Sequence, residues 1–177
     1  EGYTRLTANR PEVEVNDIVE KVFSSFVDPI HRSGGDINET AGDGLMIIFK
    51  NDDARTNAIH AVRAALDIAE RSRDPMLGGT AALEPIHVNM GINSGFALVG
   101  MTKFKGLLST RMTYTATGQV TNIAARLADL ANGGDILIGE ETRRLIEGLW
   151  RVFDRGNVSL KGIEEPLRVY SLKSFFP

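Results

Sequence analysis

The stretch DINETAGDGLMIIF, residues 36–49, decides the architecture. Two short extended runs flank Gly42-Asp43-Gly44, and only Gly, Asn and Asp readily accept the positive φ angles of a tight hairpin turn, so the stretch predicts a β-hairpin. Upstream, Val15, Ile18, Val19, Val22, Phe26 and Ile30 recur at helical spacing between Pro11 and the Ser33-Gly34-Gly35 stop, which predicts a helix over 11–33. Downstream, a second helix starts near Asp52 or Asp53, with Ile59, Val62, Ala65, Leu66 and Ala69 as its buried stripe.

Residues 74–85 are rich in Gly, Pro and small side chains and read as a loop. Residues 86–91 alternate as a strand, with 96–101 as a hairpin partner across Asn93-Ser94-Gly95. A basic loop over 102–110 leads to a strand at 112–117 and a helix at 118–131. A strand at 136–138, a short helix at 141–147 and extended pieces at 152–160 and 167–172 complete the chain. Helices interspersed with hairpins predict an α+β fold, a mixed α/β sandwich in which helices cover a mostly antiparallel sheet.

The 177 residues suffice for one domain with a proper core, and 42% hydrophobic with 24% charged residues excludes a disordered chain. A net charge of -3 argues against holding nucleic acid by bulk charge, and aromatic stacking platforms are lacking. The absence of cysteine rules out disulfides, thiolate nucleophiles and Cys-type zinc sites. His31, His60 and His87 show no ligand spacing, and no Walker loop or dinucleotide fingerprint occurs. No signal peptide opens the chain and its apolar runs are too short to span a bilayer. The expectation is a soluble, cytoplasmic domain taken from a longer protein, whose parent is open to being membrane-tethered.

Chemistry has few places to sit. Asp43 at the hairpin tip offers a hard carboxylate suited to Mg²⁺; a plain Asp-Gly turn residue is the competing reading. In the helix at 118–131, Val120, Ile123, Ala124, Leu127 and Ala131 make the core face. Asn122 and Arg126, four residues apart, share the opposite face, where they suit a sugar and a phosphate or else plain solvent. Lys161, in Leu160-Lys161-Gly162, reaches a phosphate as a point charge or is an ordinary exposed turn lysine.

In order along the chain, Gly2-Tyr3-Thr4-Arg5-Leu6, Thr40-Ala41-Gly42-Asp43-Gly44-Leu45-Met46, Gly91-Ile92-Asn93-Ser94-Gly95, the block from Gly118 through Asn122-Ile123-Ala124-Ala125-Arg126-Leu127, and Leu160-Lys161-Gly162 resemble the motifs of class III nucleotide cyclases. The resemblance covers essentially the whole chain and implies a ferredoxin-like cyclase fold. It also implies conversion of ATP or GTP to the 3′,5′-cyclic monophosphate with two Mg²⁺ or Mn²⁺ ions. By the same resemblance Asp43 holds metal, Asn122 orients the ribose, Arg126 stabilises the α-phosphate and Lys161 holds the terminal phosphates. Backbone amides of Gly2, Tyr3 and Thr4 cradle the triphosphate. In the family the metal carboxylates come from one subunit and the Asn and Arg from the other, so a two-fold homodimer is implied, with a regulatory domain in the parent protein.

Departures from the family pattern qualify this reading. The first metal aspartate of the family falls two residues before Glu1, so it and its strand are expected upstream of residues 1–177. Glu39 and Thr115 take the base-reading positions. A carboxylate accepts from the N1–H and amino group of guanine, whereas the threonine of a bacterial adenylate cyclase subgroup points to ATP, leaving ATP versus GTP open. Phe96 stands where mammalian relatives carry a phosphate-binding arginine, with Lys103, Lys105 and Arg111 as candidate substitutes. Gly34-Gly35-Asp36-Ile37 superficially resembles the diguanylate cyclase motif but leads into a strand. The rival reading is a catalytically silent cyclase-homology module that dimerises to relay a signal.

Overall fold

In the computed structural model of the chain the described residues are 11–41, 44–50, 53–74, 77, 86–105 and 110–172. Among them the order is α1 (Glu12–Arg32), β1 (Asp36–Ala41), β2 (Gly44–Ile48), α2 (Ala54–Arg71), β3 (Met90–Ile92), β4 (Leu98–Lys105), β5 (Thr110–Thr117), α3 (Gln119–Leu130), β6 (Ile136–Gly139), α4 (Glu140–Leu145), β7 (Val152–Val158) and β8 (Leu167–Leu172). This is the expected α+β arrangement. Every described strand pair is antiparallel except β3 with β6.

The central unit is the four-stranded sheet β3-β6-β8-β7. Its inner strands are buried from Ile136 to Gly139 and from Val169 to Leu172 because both faces are covered. On one face Ile136, Ile138, Tyr170 and Leu172 pack against Ala58, Val62, Ala65 and Ala69 of α2 and against Leu145 and Ile146. On the other, Leu137 and Val169 meet Leu127 and Ala131 of the α3 region together with Leu160. A third cluster joins Ile18, Val22, Phe26 and Ile30 of α1 to Ile68 of α2, with Ile37 and Ile47 of the β1–β2 hairpin packed against it. Small alanines let α2 sit close to the sheet, so its buried stripe takes in Ala58, Ala61, Ala64 and Ile68 beside the expected Val62, Ala65 and Ala69, while Ile59 and Leu66, also expected in it, are only half-buried.

Helix α2 begins at a full N-cap. The Asp53 carboxylate accepts from the Arg55 amide at 3.2 Å, the Thr56 amide at 2.9 Å and the Thr56 hydroxyl at 2.6 Å, satisfying donors that the first helical turn leaves open. The Thr56 hydroxyl, followed by the two amides, holds the Asp53 carboxyl below its ordinary value of 3.8. A depressed folded-state pKa lends stability that is complete above the unfolded value and is lost as pH falls through the lower folded one. Asp53→Asn keeps a cap with no charge to titrate. We therefore expect the thermal midpoint of the wild-type chain to fall more steeply than that of Asp53→Asn on acidification below about pH 4. Parallel slopes in calorimetric scans across that range would remove the cap from the acid response.

The expected hairpin between 86–91 and 96–101 does not form. Strand β3 instead pairs in parallel with β6, Met90 opposite Ile136, and the partner of β4 is β5, from Leu98↔Thr117 to Lys105↔Thr110. The polar residues read as its turn are used elsewhere. Asn93 donates to the Val120 carbonyl of α3 at 3.2 Å, and the Ser94 hydroxyl lies 2.9 Å from that of Thr142 in α4. Tied to helices on either side of the sheet, the segment runs on rather than doubling back. Among the described residues no helix is long and apolar enough to cross a membrane.

Candidate active site

Asn122 and Arg126 lie one helical turn apart on α3, on the side opposite Leu127, which is fully buried. The seat of that helix is unusually close. A Cβ built on Gly91 of β3 would fall 2.1 Å from the Ala124 carbonyl oxygen and 2.4 Å from the Ala128 nitrogen. Real contacts of that length do not exist, so only glycine lets the helix backbone rest directly on the strand. The Arg126 guanidinium makes a 3.0 Å ion pair with Asp129, one turn on, with 42% and 66% of the two side chains exposed.

Lys161 arrives from a different part of the chain. Leu160 is buried and Ile163 packs against the same cluster as Leu127 and Ala131, so both ends of the Lys161-Gly162 segment are anchored beneath α3. Between them the Ile163 amide donates to the Leu160 carbonyl at 3.0 Å, and Gly162 takes φ +80°. A β-turn with positive φ at its third residue requires Gly or Asn there, and it leaves Lys161 exposed at the corner. The outcome is an open groove of about 290 Å³ lined by Asn122, Ala125, Arg126, Lys161, Gly162 and Ile163. Two cationic groups and one amide thus face one cleft, an arrangement suited to a phosphorylated ligand.

The structure therefore brings together three of the residues singled out in the sequence. Ala125 and Gly162, quoted in the sequence only as members of their motifs, and Ile163, which was not singled out, complete the lining. Glu39 lies on β1 opposite Met46, and Thr115 on β5 opposite Gly100, where its hydroxyl is 3.5 Å from the Ala116 carbonyl. Phe96 is fully exposed. Asp36 opens β1 at its end away from the hairpin connection, as the reading of Gly34-Gly35-Asp36 anticipated. Gly2, Tyr3, Thr4 and Asp43 lie outside the described residues. Among the described residues no three His, Asp or Glu come together to hold a metal ion. A carboxylate such as that of Asp43 is, by its chemistry, a hard donor of the kind that divalent cations take.

Comparison with known proteins gives a consistent picture. The chain is 31% identical over 177 residues to the adenylate cyclase, terminal-differentiation specific, of Dictyostelium discoideum, covering 94% of this chain and 8% of that protein. It is 29% identical over 183 residues to the adenylate cyclase of Anabaena cylindrica, covering 98% of this chain and 35% of that one. It thus spans about a third or less of these curated relatives. Among solved structures, the adenylyl cyclase CyaB from P. aeruginosa matches with a TM-score of 0.86 at 27% identity, over 98% of this chain and 89% of that one. The guanylyl cyclase Cya2 matches at 0.84 and 25% identity, over 97% and 86%. The sequence profile of the family described as the adenylate and guanylate cyclase catalytic domain matches residues 1–174, and the chain belongs to that family.

Proposed function

We propose that this domain converts a purine nucleoside triphosphate, ATP or GTP, to its 3′,5′-cyclic monophosphate and pyrophosphate, at a site completed by a second copy of the chain. The observation that carries the reading is the single groove holding Asn122, Arg126 and Lys161, drawn from two separate segments and fixed by one apolar cluster. At about 290 Å³ the groove is at the low end for a small-molecule site, and it is open, which suits one wall of a larger cleft.

In the reaction the ribose 3′-oxygen bonds to the α-phosphorus, the bond from that phosphorus to the bridging oxygen breaks, and the hydroxyl proton leaves to solvent. Asn122 orients the ribose for in-line attack by hydrogen bonding from its amide. Arg126 leaves Asp129 and presents its planar donors to the α-phosphate as charge builds there. Lys161 binds the terminal phosphates, and the backbone of Gly2, Tyr3 and Thr4 cradles them. Glu39 and Thr115 face the purine edge. Asp43 would help hold two divalent cations, Mg²⁺ or Mn²⁺, which when bound neutralise phosphate charge.

The deciding experiment measures cyclic nucleotide formation from ATP and from GTP with Mn²⁺ or Mg²⁺, using the chain with its native upstream sequence and Asn122→Ala as control. Product from either purine, lost in the control, supports the reading. A folded dimer that makes none transfers it to the silent signalling module. Lys161→Ala is expected to raise KM about 10-fold while kcat stays within about threefold, since a contact to non-reacting phosphates acts on ground and transition states alike. A fall in kcat with KM unmoved would place Lys161 at the reacting phosphate instead.

A further inference from the structure

Strand β1 carries an irregularity one residue before Glu39. Its ladder with β2 pairs Ile37 with Ile47 and then Glu39 with Met46, so Asn38 is an extra residue with no partner across the hairpin. Such a bulge shifts the two-residue alternation of a strand by one position and re-aims the side chains beyond it. Asn38 turns its side chain to another strand altogether: its Nδ2 donates to the main-chain carbonyl of Tyr114, on β5, at 2.6 Å. Its Oδ1 is buried and meets no donor among the described residues, so the amide's hold on β5 rests on Nδ2. The same joint is tied a second time. Lys50, just beyond β2, donates to the Tyr114 hydroxyl, lies 4.6 Å from the centre of that ring, and reaches Asp36 at the start of β1 at 3.7 Å.

The sequence positions give the joint its meaning. Asn38 precedes Glu39, and Tyr114 precedes Thr115, so the residues that lock β1 to β5 are the immediate neighbours of the two assigned to the purine edge. We propose that the Asn38–Tyr114 clasp, reinforced by Lys50, is the device that sets the separation of Glu39 from Thr115 and thereby purine discrimination. This rests on the assignment of Glu39 and Thr115 to the purine edge. Asn38 touches no substrate; it is a positioning residue acting through Glu39. A pair of groups that must meet donors and acceptors of one purine edge is sensitive to small displacements, whereas the phosphate groove on α3 lies on another element and keeps its geometry.

The test compares the wild-type chain with Asn38→Ala, which removes the donor, Asn38→Asp, which sets an acceptor against the Tyr114 carbonyl, and Tyr114→Phe, which removes only the hydroxyl used by Lys50. The readout is the ratio of kcat/KM for the preferred over the other purine, alongside the ratio of their equilibrium affinities from competition binding of ATP and GTP. Both Asn38 variants are expected to narrow these ratios about 5- to 10-fold, mainly through KM, with kcat for the preferred purine within about threefold. Tyr114→Phe is expected to narrow them about half as much on a logarithmic scale. Ratios unchanged within about twofold in folded Asn38 variants, or a uniform loss of rate with both purines, overturn the proposal. Should the Asn38 variants not fold, Tyr114→Phe decides by the same ratios. A wild-type chain that forms no cyclic nucleotide from either purine overturns the functional reading and leaves the clasp to be judged on the binding ratio, which Asn38→Ala must still narrow.

Discussion

Arg126→Ala is expected to lower kcat by about 10²–10³ while KM moves less than about threefold and the unfolding midpoint stays at its wild-type value. The separation of these three quantities comes from where the side chain sits. It projects from the face of α3 opposite Leu127, and its ion pair with Asp129 joins two largely exposed groups on one helix. Exposed pairs of this kind add little to stability, so truncating the arginine costs the fold almost nothing. In the proposed reaction what is lost is a forked donor for charge that exists only as the α-phosphate is attacked, and an interaction made only in the transition state is felt in kcat. Arg126→Lys keeps the charge without the fork and is expected to recover only part of the rate. Steady-state kinetics with thermal scans of the same preparations check the prediction. A KM effect without a kcat effect would move Arg126 from the reacting phosphate to a binding role.

Gly91→Ala is expected to damage stability and rate together. The added methyl would lie 2.1 Å from the Ala124 oxygen and 2.4 Å from the Ala128 nitrogen, both main-chain atoms that cannot swing aside as a side-chain tip would. Relief requires α3 to lift from β3, at a cost of about 1–3 kcal/mol or more for overpacking of this kind. The lift also shifts Asn122 and Arg126 relative to Lys161, whose turn is held by Leu160 and Ile163. A misplacement of about 1 Å in a reacting constellation is enough for a loss on the order of 100-fold in kcat/KM. Gly100→Ala is the control for stability, because a methyl there meets nothing within 4 Å. Denaturant unfolding and kinetics of the two variants suffice, and wild-type stability in Gly91→Ala would mean that α3 does not rest on the strand as described.

The helices were legible because their apolar spacing is periodic and their ends are marked. Pro11 and Ser33 bracket α1, Asp53 caps α2, and Gly118 and Ala131 flank α3. The β1–β2 hairpin was legible from its glycine-bounded tip. The partner of β3 was not, since a run such as Met90-Gly91-Ile92 carries no mark of which strand it joins, and Asn93-Ser94-Gly95 imitates a turn while serving as a tether to α3 and α4. The bulge at Asn38 was equally hidden: an asparagine between Ile37 and Glu39 looks like ordinary alternation, and only the register exposes the extra residue. For the site, the spacing of Asn122 and Arg126 gave their shared face. That Lys161 joins them depends on Leu160 and Ile163 entering the same cluster as Leu127, a contact between distant segments that only the family resemblance supplied in advance.

The seating of α3 has a mechanical consequence. A helix whose backbone rests on a strand with no side chain between has no slack for sliding or rolling, and the Lys161 turn is bolted to the same block from below. The three groove groups therefore travel together as one jaw. A signal acting on the proposed site finds no lever inside the jaw to pull, and has to move the jaw as a whole.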